Sequence, residues 1–461
     1  MATKGAGQVM SVFRIVTLGL GVTMVLSACE REVILEGERF DTRTPLQNTL
    51  PLDSVEDAAE AALSALDADT INQSRPITLA AAQNLGDWPQ RGSNIRNAVP
   101  HLGFSNAATQ VFSVSIGEGN SRRQRITADP VVADGRIFTL DSDAGLQATS
   151  PAGELLWRAD LIPGFERGGG VSGGGLAVEG SIVLASTGYG ELIAVNAADG
   201  AVIWRQRLGA GLASPTVAGG VVYVVGRDSQ AWAIELDDGR IRWQSPASPA
   251  GSVLTGAAAP AITDRSVIFP FASGELVGAL RQSGVRVWGT TVAGSRLGVA
   301  YNNLNDITGD PVVVGSTVYA GNQSGRVAAM EAASGERLWT AQDGAYSPVL
   351  PAGDSLFFVS DRNELIRVDA STGERIWGVE LPLYVRERER RRKAVFTHFG
   401  PLMASGRLVV ASGDGEIRFF NPEDGSALGS LDIRGGAATN PIIVGGTLYV
   451  VDADGRLNAY R

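Results

Sequence analysis

The chain has 461 residues, of which 44% are hydrophobic and 19% charged, so it can bury a large core. Its formal net charge of −10 argues against a general affinity for nucleic acid, because an acidic surface repels phosphates. The 58 glycines follow no collagen-like period and indicate turns between many short strands.

The N-terminus carries an export signal. Lys4 and Arg14 precede the apolar run 15–28, which is too short to span about 30 Å of hydrocarbon but suits a signal peptide, residues 1–28. The run ends in Leu-Ser-Ala before Cys29, the single cysteine of the chain. This ending resembles a bacterial lipobox, which implies cleavage before Cys29 and its acylation. The weaker alternative is a chance cysteine in a signal peptide.

Residues 29–85 differ in composition from the rest of the chain. The stretch 53–74 is rich in alanine, aspartate and serine and has no aromatic residue. Such a composition cannot bury a core of its own. We therefore predict a flexible linker, with one helical segment at most, that holds the folded body away from the membrane.

From residue 86 to the end, the chain repeats one unit. A proline precedes a tryptophan by 27 to 29 positions in five places: Pro130 and Trp157, Pro215 and Trp243, Pro260 and Trp288, Pro311 and Trp339, and Pro348 and Trp377. Two further units are degenerate, with Gly175 at the proline position before Trp204 and Leu428 at the tryptophan position after Pro401. A repeat of this length is typical of propellers and solenoids.

Each unit has the pattern of short strands. The unit 311–339 contains three or four apolar runs, each too short for a helix and each followed by glycine or polar residues. The Ala-Ser-Gly-Glu stretch before Trp339 predicts a tight hairpin, in which glycine supplies positive φ. Four strands in a repeat of 40 to 50 residues indicate a propeller blade.

The two ends of the repeat region complement each other. The last unit begins at Pro441 and stops before its fourth strand, whereas residues 108–116 match the end of a unit and place Phe112 at the tryptophan position. We predict an all-β fold, an eight-bladed β-propeller of four-stranded antiparallel blades. Its last blade is completed by the N-terminal strand, so that no sheet edge is left open at the seam.

Most of the conspicuous residues recur once in each unit and are therefore predicted to have a structural role. Six tryptophans occupy one repeat position, where a flat side chain can fill the space between blades. Asp199 and Asp238 precede hairpin glycines in successive units and are predicted to accept backbone hydrogen bonds in turns. Trp88 lies outside the repeat phase and is expected to pack the N-terminal segment against the ring.

The phrases DGAVIW, SGERLW and TGERIW resemble the quinoprotein-type propeller repeat. Two families with different functions share it: pyrroloquinoline quinone dehydrogenases and the BamB lipoproteins of the outer-membrane β-barrel assembly machinery. The second resemblance is closer, since it includes the lipobox, a single eight-bladed domain, an opening Trp88-Pro89-Gln90 and a closing DGRLNAYR.

Resemblance to the BamB family implies a non-enzymatic scaffold in the barrel-assembly complex. Such a lipoprotein is anchored in the outer membrane and faces the periplasm. It binds the assembly protein BamA and other lipoproteins of the complex, and it assists the folding and insertion of outer-membrane protein precursors. The resemblance implies no cofactor and no catalytic residue.

The alternative is a periplasmic dehydrogenase that depends on pyrroloquinoline quinone. Quinone dehydrogenases of this fold typically place a disulfide between adjacent cysteines over the cofactor, together with a calcium ion. With one cysteine this chain cannot form that disulfide, and His101 and His398 have no spacing typical of a metal site. We therefore expect neither metal nor cofactor.

Long connections between units are candidates for partner binding, because loops can vary without disturbing the core. The connections before Pro260 and Pro311 resemble the BamB surface that docks on BamA through Leu-x-Leu-Arg and Asp-x-Asp elements. Leu254 matches the second leucine and Thr255 stands at the arginine position; Asp306 matches the first aspartate and Thr308 replaces the second. The resemblance implies a leucine anchor beside an exposed carboxylate. The alternative is a pair of long solvated loops.

A third long connection contains six basic and two acidic residues within 385–395, including Arg390, Arg391 and Arg392. A solvated charge run is one interpretation. The other is an electrostatic contact with an acidic partner surface or with anionic headgroups.

Overall fold

A computed structural model describes residues 72–166, 170–254, 258–292, 294 and 304–461. These residues form 32 β-strands in eight four-stranded antiparallel sheets, with one short 3-10 turn at Glu389–Arg391. None of their helical segments is long and apolar enough to cross a membrane. The export signal, Cys29 and the linker up to residue 71 lie outside the described residues.

The strands follow one another from the inner to the outer position of each blade. Blade 1 comprises β2 Val131–Ala133, β3 Arg136–Leu140, β4 Gly145–Thr149 and β5 Leu155–Asp160, and blade 2 comprises β6 Gly174–Glu179, β7 Ile182–Thr187, β8 Glu191–Asn196 and β9 Val202–Arg207. Blade 3 comprises β10 Thr216–Ala218, β11 Val221–Val225, β12 Gln230–Glu235 and β13 Ile241–Pro246. Blade 4 comprises β14 Ala261–Ile262, β15 Ser266–Pro270, β16 Glu275–Leu280 and β17 Arg286–Thr291. Blade 5 comprises β18 Val312–Val314, β19 Thr317–Asn322, β20 Arg326–Glu331 and β21 Arg337–Ala341. Blade 6 comprises β22 Leu350–Ala352, β23 Ser355–Val359, β24 Glu364–Asp369 and β25 Arg375–Glu380. Blade 7 comprises β26 His398–Ala404, β27 Arg407–Ser412, β28 Glu416–Phe420 and β29 Ala427–Asp432. Blade 8 comprises β30 Ile442–Val444, β31 Thr447–Val451, β32 Arg456–Tyr460 and, as its outer strand, β1 Gln110–Ser115.

Blade 8 joins the two ends of the repeat region. Strand β1 pairs antiparallel with β32, with Phe112 opposite Ala459 and Val114 opposite Leu457. The side chain of Ile116, directly after β1, is fully buried in the core between blades. The predicted eight-bladed propeller, closed by an N-terminal strand, is confirmed.

The tryptophans hold neighbouring blades together. The indole N–H of Trp157 donates to the carbonyl oxygen of Ala197 in the next blade at 3.0 Å, and its ring lies over Gly200 in that blade's outer hairpin. Gly200 has a φ of 78°, and a side chain there would collide with the indole ring. The other five repeat tryptophans make the same contact, which confirms that they pack between blades.

The prediction that Leu428 occupies the tryptophan position was wrong by one residue. Gly429 lies opposite Phe419, as Trp377 lies opposite Arg367 in the preceding blade, whereas Leu428 lies in a β-bulge. The neighbouring blade 8 explains why no tryptophan is needed. Its outer strand comes from the other end of the repeat region, so it has no outer hairpin on which an indole ring could stack.

An N-terminal segment follows the inner strands of the ring. The backbone N–H of Trp88 donates to Val132 in blade 1 at 2.7 Å, and the carbonyl of Ile95 accepts from Ile262 in blade 4 at 2.6 Å. Trp88 is buried, as expected from its position outside the repeat. These hydrogen bonds attach the segment to blades far apart in sequence.

The folded body begins earlier than the predicted boundary at residue 86. Gln73 donates its backbone N–H to Ile376, and the guanidinium of Arg75 forms ion pairs of 2.8 Å with both Asp354 and Asp369. Residues 72–85 are therefore part of the propeller surface, and the linker prediction applies only to residues before 72.

Candidate partner-binding site

One face of the ring carries the connections that lead from the outer strand of each blade to the inner strand of the next. The hairpins between the second and third strands of each blade reach the same face. One such hairpin supports a long connection directly, since the hydroxyl of Ser324 donates to the carbonyl of Leu304. Among the connections that join blades 3 to 8, the three longest are 247–260, 292–311 and 381–397.

Two aspartates join the connection before Pro260 to the connection before Pro311. The Asp306 carboxylate accepts the backbone N–H of Leu254 at 2.9 Å, and the Asp310 carboxylate accepts the backbone N–H of Ala259 at 2.7 Å. The structure therefore brings Leu254 and Asp306 together. Leu254 is half-buried, and its backbone is held in place by a charged hydrogen bond. Thr255 lies outside the described residues.

The carboxyl group of Asp306 titrates above its ordinary range. Burial raises its pKa to about 6, while the N–H of Leu254 and the positive charge of Arg227 oppose that rise. Arg227 belongs to the hairpin between β11 and β12, and it donates to the carbonyl of Ser172 in the connection between blades 1 and 2. The buried Asp306 thus links the connections before Pro260 and Pro311, and the positive charge of Arg227 acts on it from a neighbouring hairpin.

Asp306 does not present an exposed carboxylate, contrary to the expectation from the sequence. Its side chain is almost fully buried, as is that of Thr308, whose hydroxyl donates to the carbonyl of Ala345 at 3.1 Å. Both residues stabilise the conformation of the connection before Pro311 through hydrogen bonds on its buried side. Of the described residues with a match to the family elements, Leu254 is the one with a partly exposed side chain.

Arg91 lies between opposite sides of the ring. It was not among the predicted site residues. Its guanidinium is 2.7 Å from Asp310, before blade 5, and 3.5 Å from Asp129, before blade 1. Asp129 also accepts the backbone N–H of Asn440 at 2.9 Å. The sequence contained a signal for the two aspartates that bind Arg91, because an Asp-Pro dipeptide begins the units at Pro130 and Pro311.

The centre of the ring does not fit a quinone and calcium site. Its two carboxylates, Asp129 and Asp310, already bind Arg91 and the backbone N–H groups of Asn440 and Ala259. Across the part of the chain that the structure describes, no cluster of three or more His, Cys, Asp or Glu side chains could hold a metal ion. His398 is buried and hydrogen-bonded to Ser412 and Pro382, as a structural histidine.

The arginine-rich connection is an ordered hairpin. The backbone N–H of Val385 donates to Ala394 at 3.0 Å, and the guanidinium carbon of Arg392 lies 4.7 Å from the centre of the Tyr384 ring. Arg390 and Arg391 are exposed at its tip, in the 3-10 turn. The cluster therefore projects its positive charge from the same face as the linked loops.

An eight-bladed propeller whose central carboxylates are paired with its own arginine, and whose long loops lie on one face, is a scaffold for binding other molecules. A sequence profile of the outer membrane protein assembly factor BamB matches residues 142–379 and 388–461. The chain belongs to the BamB family, as its repeats predicted.

Individual relatives agree with this assignment. The outer membrane protein assembly factor BamB of Shewanella oneidensis is 27% identical over 357 residues, covering 75% of this chain and 87% of the relative. The crystal structure of BamB from Moraxella catarrhalis has a TM-score of 0.61 at 19% identity, covering 77% of this chain and 98% of that one. A quinohemoprotein alcohol dehydrogenase from Pseudomonas putida has a TM-score of 0.60 at 13% identity over 82% and 80% of the two chains, which shows a common fold alone.

Proposed function

We propose that this protein is a non-enzymatic scaffold of outer-membrane β-barrel assembly and that its linked loops dock on a BamA-like assembly protein. The relatives are named as outer membrane protein assembly factors, which supports the scaffold role over the dehydrogenase alternative. The observation that carries the docking site is the pair of hydrogen bonds from Leu254 and Ala259 to Asp306 and Asp310.

A loop held in this way is suited to binding. Fixing the backbone before a partner arrives lowers the entropy cost of association. Leu254 supplies a partly exposed apolar side chain on that fixed backbone, and a single apolar anchor often dominates an interface. Asp306 and Thr308 contribute by positioning the anchor, and Thr255 directly follows it in the chain.

Leu254→Arg should weaken co-purification of the assembly protein by about tenfold or more, about 1.4 kcal/mol, because it replaces the apolar anchor with a charge. Affinity purification from mild detergent, followed by quantification of the partner, measures the effect. The matched control is Val314→Arg, which changes an exposed aliphatic residue at the opposite face of blade 5. Equal losses in both variants would place the docking surface elsewhere.

The arginine-rich hairpin adds a weaker, electrostatic contact in this proposal. Arg390, Arg391 and Arg392 project from the docking face and can attract an acidic surface of the partner or anionic headgroups across about 10 Å. Replacing Arg390 and Arg391 together with alanine is a second comparison for the purification experiment. Its effect should be smaller than that of Leu254→Arg and should fade as salt is added.

We further propose that the protein is tethered to the outer membrane, on its periplasmic side, by acyl chains on Cys29. Several acyl chains anchor a protein stably, since each buried methylene contributes roughly 0.8 kcal/mol. The residue after Cys29 is Glu30 and not the aspartate associated with retention in the inner membrane. In this arrangement other lipoproteins of the complex and precursor barrel proteins reach the propeller from the periplasm.

Radiolabelled palmitate should enter the wild-type protein and be absent from Cys29→Ala, because the thiol is the acceptor of the diacyl group. Autoradiography of the immunoprecipitated chain measures the label. Substituting Ser27 by threonine serves as a control that keeps the cysteine. Label in Cys29→Ala at the wild-type level would rule out this anchor.

A further inference from the structure

Charge is unevenly distributed among the connections on the face that carries the proposed docking loops, 247–260 and 292–311. The connections 381–397, 433–441 and 116–130, which follow blades 6, 7 and 8, contain ten basic and four acidic residues. None of the connections that follow blades 1 to 5 has an excess of basic residues in its sequence. The protein as a whole is acidic, so this positive charge is local. We call the three connections the basic half of the face.

Each connection of the basic half presents arginine at the tip of an ordered turn. The backbone N–H of Ser121 donates to the carbonyl of Gln124 at 2.8 Å, which places Arg122 and Arg123 at the tip of one turn. Arg434 lies in a second turn, closed by a backbone hydrogen bond of 3.1 Å, and the arginine-rich hairpin supplies the third tip. The guanidinium groups at these tips are exposed, and none of them forms an ion pair with another described residue.

Two carboxylates beside the basic half are neutralised by arginines of their own blades. Asp141 pairs with Arg158 at 2.7 Å in blade 1, and Asp414 pairs with Arg418 at 2.5 Å in blade 7. Asp454, in the hairpin of blade 8 between them, is exposed and lowers the net charge of this surface. The arginines at the three tips outnumber it, so the surface keeps an excess of positive charge.

Apolar side chains accompany the arginines of the connection 381–397. Val385 and Val395 are 46% and 50% exposed, and Val395 pairs with Tyr384 across the base of the hairpin. The ring of Tyr384 in turn contacts the guanidinium of Arg392. Aliphatic and aromatic side chains beside basic residues are typical of segments that lie at a membrane surface. An acidic protein surface would pair with the arginines but gives no reason for the two exposed valines.

The described chain begins beside the basic half. The side-chain amide of Asn72 donates to the carbonyl of Gly378 in β25 and accepts its N–H, both at 3.0 Å. Arg75 pairs with carboxylates of blade 6 toward the opposite face, so the chain followed back from Arg75 to Asn72 runs toward Glu380, where the connection 381–397 begins. An acyl anchor on Cys29, joined to Asn72 by a linker with a reach of roughly 35 Å, would hold this side of the ring near the membrane.

The docking loops and the basic half lie on opposite sides of the ring. The connection 247–260 follows blade 3, and the connection 433–441 follows blade 7. In a closed ring of eight blades these two positions are as far apart as possible. A partner bound at one side of the face therefore leaves the other side accessible.

We propose that the basic half lies against a membrane surface and binds the anionic headgroups of its lipids. Guanidinium groups donate paired hydrogen bonds to phosphate oxygens, and clustered basic residues attract an anionic bilayer within about a Debye length. This inference rests on the proposed function, in which an acyl chain tethers the protein and the docking loops bind the assembly protein. The headgroup contact would orient the tethered propeller, with its docking loops on the side away from the contact.

The test uses the full mature chain with Cys29→Ala, so that an acyl anchor does not contribute. The probes are vesicles of phosphatidylglycerol and phosphatidylcholine in equal parts, and vesicles of phosphatidylcholine alone. Sedimentation should show binding to the first and not to the second, and the binding should fade as salt is added. The alanine pairs Arg390→Ala with Arg391→Ala and Arg122→Ala with Arg123→Ala should each weaken binding about tenfold or more.

Two controls separate charge at this surface from charge elsewhere and from changes in folding. Arg390→Lys with Arg391→Lys keeps the charge and should keep most of the binding. Arg240→Ala with Arg265→Ala removes two exposed arginines from hairpins at the opposite face, and it should alter binding less than about twofold.

A fluorescent label provides a second measurement, because the Cys29→Ala chain contains no other cysteine. Val395→Cys places an environment-sensitive dye in the basic half, and Val314→Cys places the same dye at an equally exposed valine of the opposite face. The emission of the first dye should shift to shorter wavelength when the anionic vesicles are added. The emission of the second should stay unchanged.

Three results would overturn the inference: equal binding of both kinds of vesicle, equal weakening by the arginine pairs of the two faces, or no shift of the dye at position 395. Co-purification of the assembly protein is measured on the same variants. If the alanine pairs abolish co-purification and leave vesicle binding unchanged, the arginines contact an acidic protein, and only this inference fails. Absence of the assembly protein from the wild-type purification would instead refute the proposed function.

Discussion

Arg91→Ala should lower the free energy of unfolding by about 3–5 kcal/mol, the usual cost of removing one partner from a buried ion pair. The substitution would leave Asp310, whose side chain has no exposed surface, and the nearly buried Asp129 without their shared cation. It would also loosen the N-terminal segment that follows the inner strands of the ring. Denaturant unfolding followed by tryptophan fluorescence measures the change.

Arg96→Ala is the control for this experiment. Arg96 belongs to the same segment and pairs with Asp264 at 2.9 Å, but the aspartate side chain is 90% exposed. An exposed pair contributes about 0–1 kcal/mol, so this variant should remain close to the wild type. A similar loss of stability in both variants would show that the central position of Arg91 has no special importance.

Deleting residues 110–116 should destabilise the whole propeller. The deletion removes the outer strand of blade 8, exposes the edge of β32, and takes away Phe112, whose ring lies over Gly153 of blade 1. The fully buried Ile116 alone represents about 2–5 kcal/mol if truncated to alanine. We expect a large fall in soluble yield and in Tm, measured by fractionation and calorimetry.

The comparison is a deletion of residues 53–67, which lies in the predicted linker. This change should leave Tm at the wild-type value, because the segment is not expected to supply ladder hydrogen bonds to the ring. Equal Tm values for the two deletions would contradict the closure of the ring by β1 as a determinant of stability.

The sequence predicted that the two long connections would lie together, but it did not predict which way their polar side chains point. The positions of Leu254 and Asp306 in two long connections predicted that the two loops would act together, and their hydrogen bond agrees with this. A polar residue in a long loop is ordinarily expected to face solvent. Asp306 and Thr308 instead turn inward, because backbone groups of other segments need acceptors and donors beneath the loops.

By itself, the sequence determined the blade and the number of blades. Each blade consists of consecutive strands, and each repeat tryptophan contacts the next unit of the chain, so these interactions leave a periodic signal. Only the tertiary structure decided how Arg91 joins Asp129 and Asp310 and how Asn72 covers the edge at Gly378. Those partners occur once, and Asn72 and Gly378 are 306 residues apart in the sequence. Closure of the ring brings them together, and no repeat or local pattern records a contact of that kind.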